Sequence, residues 1–266
     1  MIYNYYPGCT LSTKAKELDL YARRAAERLG FPLVELPEWQ CCGAVYPLAQ
    51  DEIATRLAAV RALAAASANG GTLVTLCSAC HHVLKRVNHD MATNVELRNK
   101  INAYLELPTP YGGETQVLHY LEVVRKVVGF ERLASLVTQP LTGRKIGAYY
   151  GCMLLRPAGI MEFDDPENPT VLEDFLRILG ATPVSFPLRN ECCAGYLAVT
   201  DKIKPQTMVG DILTSARGQG VEELITACPL CAYNLVVNAT AKQRLPLAYF
   251  TELLAEALGV KEVGEA

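Results

Sequence analysis

The cysteines of this chain fall into two sets with nearly the same internal spacing, and that spacing restricts the fold more than any other feature. Cys9, Cys41, Cys42, Cys77 and Cys80 read C-x31-CC-x34-CxxC. Cys152, Cys192, Cys193, Cys228 and Cys231 read C-x39-CC-x34-CxxC. Together they are all ten cysteines of the 266 residues. Repetition on this scale marks a duplicated structural unit. Other residues follow it. Arg28-Leu29-Gly30 precedes the first adjacent pair as Ile178-Leu179-Gly180 precedes the second. Leu73-Val74-Thr75-Leu76-Cys77 answers to Leu224-Ile225-Thr226-Ala227-Cys228, and Tyr120-Leu121-Glu122 to Tyr249-Phe250-Thr251-Glu252. The repeats are expected to be residues 1–141 and 142–266, parted near Thr138–Gly143, where Pro140 and Gly143 interrupt the pattern. The longer first spacing of the second set is assigned to Pro157–Asn168, which reads as a surface loop.

Each repeat alternates strand and helix. The first gives a strand at Ile2–Tyr6 and a helix at Ser12–Leu29 with Leu18, Ala22, Ala25 and Leu29 on one face. A strand at Pro32–Leu36, a helix at Glu52–Ser67 stopped by Asn69-Gly70-Gly71, and a strand at Thr72–Leu76 follow. The second gives strands at Lys145–Tyr150, Thr182–Phe186 and Glu223–Thr226, a helix started by Asn168-Pro169, and another at Ile203–Ala216. The fold class is therefore α/β, with two pseudo-symmetric repeats. Each is a small parallel-type sheet with flanking helices. Every cysteine motif then follows a strand, so each set of five gathers at the carboxyl edge, where open α/β sheets bind ligands.

No stretch reaches the ~18 continuous apolar residues of a membrane span. Met1-Ile2-Tyr3-Asn4-Tyr5-Tyr6 has neither the basic nor the apolar region of a secretory signal. The expectation is a cytoplasmic protein without direct membrane insertion. A net charge of −3 gives no case for nucleic acid or anionic lipid. In a reducing compartment, clustered cysteines point to metal or redox chemistry rather than disulfides. One structural zinc takes four ligands, which leaves one cysteine of each set idle. Iron–sulfur clusters suit all-thiolate sites, though a regular four-iron cluster also needs only four. A fifth thiolate could bridge two irons of an irregular cluster. Adjacent cysteines need a bend to serve one site, and Gly43 can supply it. In Cys192-Cys193-Ala194-Gly195 the glycine is displaced by one, so either the bend differs or Ala194 keeps a negative φ. Cys77-Ser78-Ala79-Cys80-His81 also spells the c-type haem signature, but Cys228-Pro229-Leu230-Cys231-Ala232 lacks the histidine and the repeat already explains these cysteines.

These motifs resemble the cysteine-rich CCG domain family over nearly the whole chain. Within it the chain is similar to the B subunits of heterodisulfide reductases. Cys77 to His89 and Pro246 to Leu254 carry that likeness. The resemblance implies two non-cubane [4Fe-4S] clusters. Cys9, Cys41, Cys42, Cys77 and Cys80 would hold one, and Cys152, Cys192, Cys193, Cys228 and Cys231 the other. It implies an enzyme subunit active within a multisubunit complex, where a (hetero)disulfide is cleaved between the clusters with one sulfur handed to each. The implied partners are a small ferredoxin-like subunit with cubane clusters and a flavin-containing subunit. The family also contains cluster-bearing electron-transfer subunits of glycolate, lactate, succinate or fumarate oxidoreductases and of sulfur oxidation. That leaves an alternative without a disulfide substrate.

Among other residues, Tyr5-Tyr6 and Tyr149-Tyr150 precede Cys9 and Cys152 and read first as strand packing. A hydroxyl of each pair directed at the cluster edge is the alternative. His81, His82 and His89 read as a solvated helix face, with His81 and His82 the candidate proton donors. His119 reads as a buried, hydrogen-bonded histidine. Lys85, Arg86, Arg156 and Arg189 read as surface charges that would also suit an anionic substrate tail.

Overall fold

The computed structural model describes residues 2–44 and 51–261. The first repeat runs β1 (Tyr3–Tyr6), α1 (Gly8–Thr13), α2 (Lys16–Leu29), β2 (Leu33–Glu35), α3 (Ala54–Ala68), β3 (Thr72–Thr75), α4 (Ser78–Thr93), α5 (Val95–Leu105), β4 (Gln116–His119) and α6 (Tyr120–Val123). After α7 (Phe130–Leu136), the second runs β5 (Lys145–Tyr149), α8 (Ala158–Met161), α9 (Val171–Ile178), β6 (Thr182–Val184), α10 (Ile203–Gly218), β7 (Glu223–Thr226), α11 (Pro229–Val237), β8 (Leu247–Tyr249) and α12 (Phe250–Ala257). The sheets have strand orders β2-β1-β3-β4 and β6-β5-β7-β8, with every pair parallel. In both, the chain changes direction across the sheet between the first and third strands. That is the switch point at whose carboxyl side a crevice opens.

The doubled α/β reading holds, with four differences. The fourth strands β4 and β8 are three or four residues long and were not marked by the sequence. The helix expected over Ser12–Leu29 is two, broken at Ala15 (φ −128°, ψ 41°). The Ser12 hydroxyl donates to Gly8 O at 2.8 Å and Thr13 to Cys9 O at 2.6 Å, side-chain bonds that compete with continuation of the helix. The helix expected to start on Asn168-Pro169 starts after Thr170, because the Asp164 carboxylate accepts the Thr170 and Val171 amides at 2.7 and 2.8 Å. Pro157–Asn168 is more than a surface loop. It contains α8, whose Met161 is fully buried, and Phe163 is buried beyond it.

The repeats share one core. Helices α2 and α12 pack together, and the Thr251 hydroxyl donates to Leu18 O at 3.0 Å. Phe250 stands 5.7 Å from Tyr120 and 5.6 Å from His119, ring centre to ring centre. The segment between repeats is bonded to the second. Thr138 and Gln139 donate to Ala257 O, and Leu141 to Leu179 O.

Candidate functional site

Each cysteine set is assembled by the same local devices. Gly8 and Gly151, at φ +76° and +65°, turn the chain after β1 and β5 so that Cys9 and Cys152 follow directly. A Cβ at Gly8 would meet Cys80 Sγ at 2.7 Å, and one at Gly151 would meet Cys231 Sγ at 3.2 Å. Tyr6 donates to Gln40 O at 2.5 Å and Tyr149 to Glu191 O at 2.7 Å. Those carbonyls belong to the residues just before the two adjacent-cysteine pairs. Tyr6 and Tyr149 therefore hold the loops that carry the pairs, beside the thiols. Tyr5 and Tyr150 bond instead to the carboxylates of Asp19 and Glu173. The bend after each pair is left-handed in both copies, Gly43 at φ +76° and Ala194 at φ +59°. Ala194 thus does not keep a negative φ. Gly195 is glycine for another reason, since a Cβ there would fall 2.9 Å from Leu230. Cys77 and Cys228 cap the N-termini of α4 and α11, and Cys80 and Cys231 lie in the first turns, where the helix dipole favours thiolate.

The structure brings each set together, and the two sets to each other. Cys41 Sγ lies 3.6 Å from Cys9 Sγ, Cys42 3.5 Å from Cys80, and Cys193 3.4 Å from Cys231. Cys152 and Cys192 act on each other's thiols, as do Cys77 and Cys80 and, across the junction of the repeats, Cys77 and Cys228. Hydrogen bonds to neighbouring thiols, added to burial, push the thiols of Cys9, Cys77, Cys80, Cys152 and Cys231 up. Cys42, hydrogen-bonded to its neighbours Cys41 and Cys80, is pulled down to about 4, and Cys192, beside Cys152, to about 6. Sulfurs this close cannot all ionise unless a cationic group stands among them. Among the described residues, no three His, Cys, Asp or Glu side chains converge on a single-ion site. The extended, all-sulfur donor set fits a polynuclear soft-metal group such as an iron–sulfur cluster.

The sets differ in exposure. Cys9 and Cys41 are exposed, whereas Cys152 and Cys192 are half-buried. The second set lines a small pocket together with Met153, Tyr196 and, from the first repeat, Ser78. An open groove runs beside Cys42, walled by Arg56, His82 and Arg86. Two hydroxyls at equivalent positions, Thr75 and Thr226, are fully buried with no hydrogen-bond partner.

His81 is not on a solvated face. It is fully buried with Nε2 3.2 Å from the Glu122 carboxylate, and burial pushes its pKa down. His82 is half-buried and its Nδ1 lies 3.1 Å from Met153 O. His89 is exposed and His119 buried as expected, with Nε2 2.9 Å from Leu76 O. The basic residues are engaged in the scaffold. Lys85 donates to Met161 O, Arg156 to Asn190 O and Pro166 O, and Arg189 to Phe186 O and Asn168 Oδ1. Arg86 lies at 3.4 Å from His82 Nε2. Sequence reasoning missed Gly8, Gly151, Ser78, Tyr196 and Tyr249. The first two had a readable signal, since Tyr6-Pro7-Gly8-Cys9 and Tyr149-Tyr150-Gly151-Cys152 are one motif twice.

Residues 3–85 and 146–236 each match the family of cysteine-rich CCG domains. The chain belongs to that family. It is 32% identical to the membrane anchor subunit of the 8-methylmenaquinol:fumarate reductase of Wolinella succinogenes, over 98% of this chain and 94% of that one. It is 26% identical to the B subunit of the ferredoxin/F420H2-dependent CoB-CoM heterodisulfide reductase of Methanosarcina acetivorans, over 96% and 88%. A protein of Archaeoglobus profundus described as like the B subunit of heterodisulfide reductase is 27% identical over 97% and 90%. Among solved structures, a hypothetical protein from Helicobacter pylori superposes with a TM-score of 0.75 at 15% identity, a likeness of fold. It spans 98% of this CCG-family chain but 49% of that one, so the chain matches about half of that structure. No helix among the described residues is long and apolar enough to cross a membrane.

Proposed function

We propose that the chain is the iron–sulfur subunit of a heterodisulfide reductase-like complex, and that it reduces a disulfide to two thiols between two clusters. Each repeat, residues 1–141 and 142–266, would hold one non-cubane [4Fe-4S] cluster on its five cysteines. The observation that carries this reading is the junction of the two sets, where Ser78, next to Cys77, donates its amide and hydroxyl to the carbonyl of Ala227, next to Cys228. Splitting a disulfide takes two electrons and two protons, and yields one thiol from each half. Iron–sulfur clusters supply electrons singly and an iron that stabilises a departing thiolate, so two facing clusters match the two halves of the bond. The cysteines hold the groups, Tyr6 and Tyr149 fix the loops bearing the adjacent pairs, and the groove beside Cys42 gives the substrate a way in from solvent. The electrons would come from a small ferredoxin-like subunit with cubane clusters, fed by a flavin-containing subunit, in the cytoplasm. The relatives described as reductase subunits support assembly into such a complex.

The 32% identity to a fumarate reductase anchor subunit favours a second reading, a cluster-bearing electron-transfer subunit without its own disulfide. One assay separates the two. The anaerobically purified complex is given a reduced viologen dye and either a disulfide or fumarate. Two thiols formed per two dye molecules oxidised support the first reading. Fumarate-dependent oxidation with no thiol formed supports the second.

A further inference from the structure

The junction between the repeats is built around one hydroxyl. Tyr249 ends β8 and is almost wholly buried. Its hydroxyl lies 2.7 Å from Leu76 O in the first repeat and 3.1 Å from Ala227 O in the second. These carbonyls belong to the peptide units that lead into Cys77 and Cys228. The position equivalent to Tyr249 in the first repeat is His119, since Thr75 pairs with His119 as Thr226 pairs with Tyr249. His119 Nε2 also reaches Leu76 O, at 2.9 Å. The symmetry is broken one residue after each cysteine. Ser78 donates both its amide, at 3.1 Å, and its hydroxyl, at 2.8 Å, to Ala227 O. Pro229 has no amide hydrogen to return to Leu76 O. Leu76 O is served by His119 and Tyr249 instead.

We propose that Tyr249 is a positioning residue for both cysteine sets, fixing Cys77 and Cys228 relative to each other and so setting the two redox centres as a pair. A bifurcated hydrogen bond from one buried donor ties two peptide units from different sheets. Moving either unit tilts the N-terminus of α4 or α11 and the cysteine that caps it. Tyr6 and Tyr149 do the same kind of work within one set only, because each bonds a carbonyl of its own repeat. The redox half of this inference rests on the iron–sulfur reading above, whereas the geometric half does not.

The test compares Tyr249→Phe, Tyr6→Phe and Tyr149→Phe in the full chain. In metal-free protein treated with diamide, a Cys77–Cys228 disulfide bridging the repeats is expected, and mass spectrometry of unreduced peptides follows its formation. Tyr249→Phe should slow that bridge several-fold relative to the other two variants. In anaerobically prepared, iron-loaded protein, the electron paramagnetic resonance signals and reduction potentials of both centres should shift in Tyr249→Phe with the iron content retained. Tyr6→Phe should shift the first alone and Tyr149→Phe the second alone. An unchanged bridging rate in Tyr249→Phe, or a shift of only one centre, would overturn the proposal. Iron-free native protein would remove the cluster reading, and the bridging rate would still decide the geometric claim.

Discussion

Gly8→Ala tests how closely the first cysteine set is built. Gly8 stands at φ +76°, and an added Cβ would lie 2.7 Å from Cys80 Sγ. Gly151 is its counterpart at φ +65°, with Cys231 Sγ at 3.2 Å from the same added atom. Left-handed backbone costs an alanine about 1–2 kcal/mol at either position. At 3.2 Å a shift of a few tenths of an ångström relieves the contact. At 2.7 Å it does not, because Cys80 is buried and lies against Cys42. Overpacking of this kind adds about 1–3 kcal/mol. Gly8→Ala should therefore destabilise the chain by about 2–5 kcal/mol and Gly151→Ala by about 1–2 kcal/mol. Urea unfolding of the metal-free full chain, followed by circular dichroism, measures both. Iron analysis of the same variants after anaerobic preparation should show a deficit that is larger for Gly8→Ala. Equal destabilisation by the two changes, or a greater loss at Gly151, would refute the role given to the Cys80 contact.

Ala194→Gly should stabilise the chain by about 0.5–1 kcal/mol, because relief of left-handed strain exceeds the entropy that glycine adds to the unfolded state; a lower urea midpoint would contradict this. Thr226→Val, which removes a buried hydroxyl without a partner, should raise the stability of metal-free protein by about 1 kcal/mol. The Glu122 carboxyl is held well below its ordinary range: burial opposes this, but contact with His81, the Lys126 ammonium and the His119 amide outweigh it. A depressed folded-state pKa gives stability that is complete above the unfolded value and is lost as pH falls below it. Acid titration of wild type should show that loss from about pH 4.5 downward, and Glu122→Gln should show less of it.

The cysteine arithmetic made the doubled fold and the two thiol sets legible, because a spacing of one crossover leaves few ways to bring five thiols to one place. Three strands of each sheet were legible for a similar reason, as short apolar runs between helices. β4 and β8 were not, since three or four residues that run straight into a helix carry no alternation to read. Their helix starts were marked only by Glu122 and Glu252, whose side chains reach back to the amides of His119 and Tyr249. His81 was misread because helix periodicity gives a face but not what packs on it. Here Glu122 takes that place. The wider role of the Pro157–Asn168 insertion was hidden in the same way. Its polar sequence suggests a free loop, while Met161 and Phe163 pin it down and Met161 O receives Lys85 from α4. Ala194 shows the limit of residue rules at a strained site, where the bend demanded by an adjacent-cysteine pair overrides the usual preference for glycine.

Whether both five-cysteine sets hold a metal cluster is decided by iron, acid-labile sulfide and zinc analysis of the full chain purified without oxygen. The expected result is about eight irons per chain, four for each set of thiolates, with sulfide and without stoichiometric zinc. Stoichiometric zinc with iron for one cluster only would contradict the assignment of a cluster to each repeat.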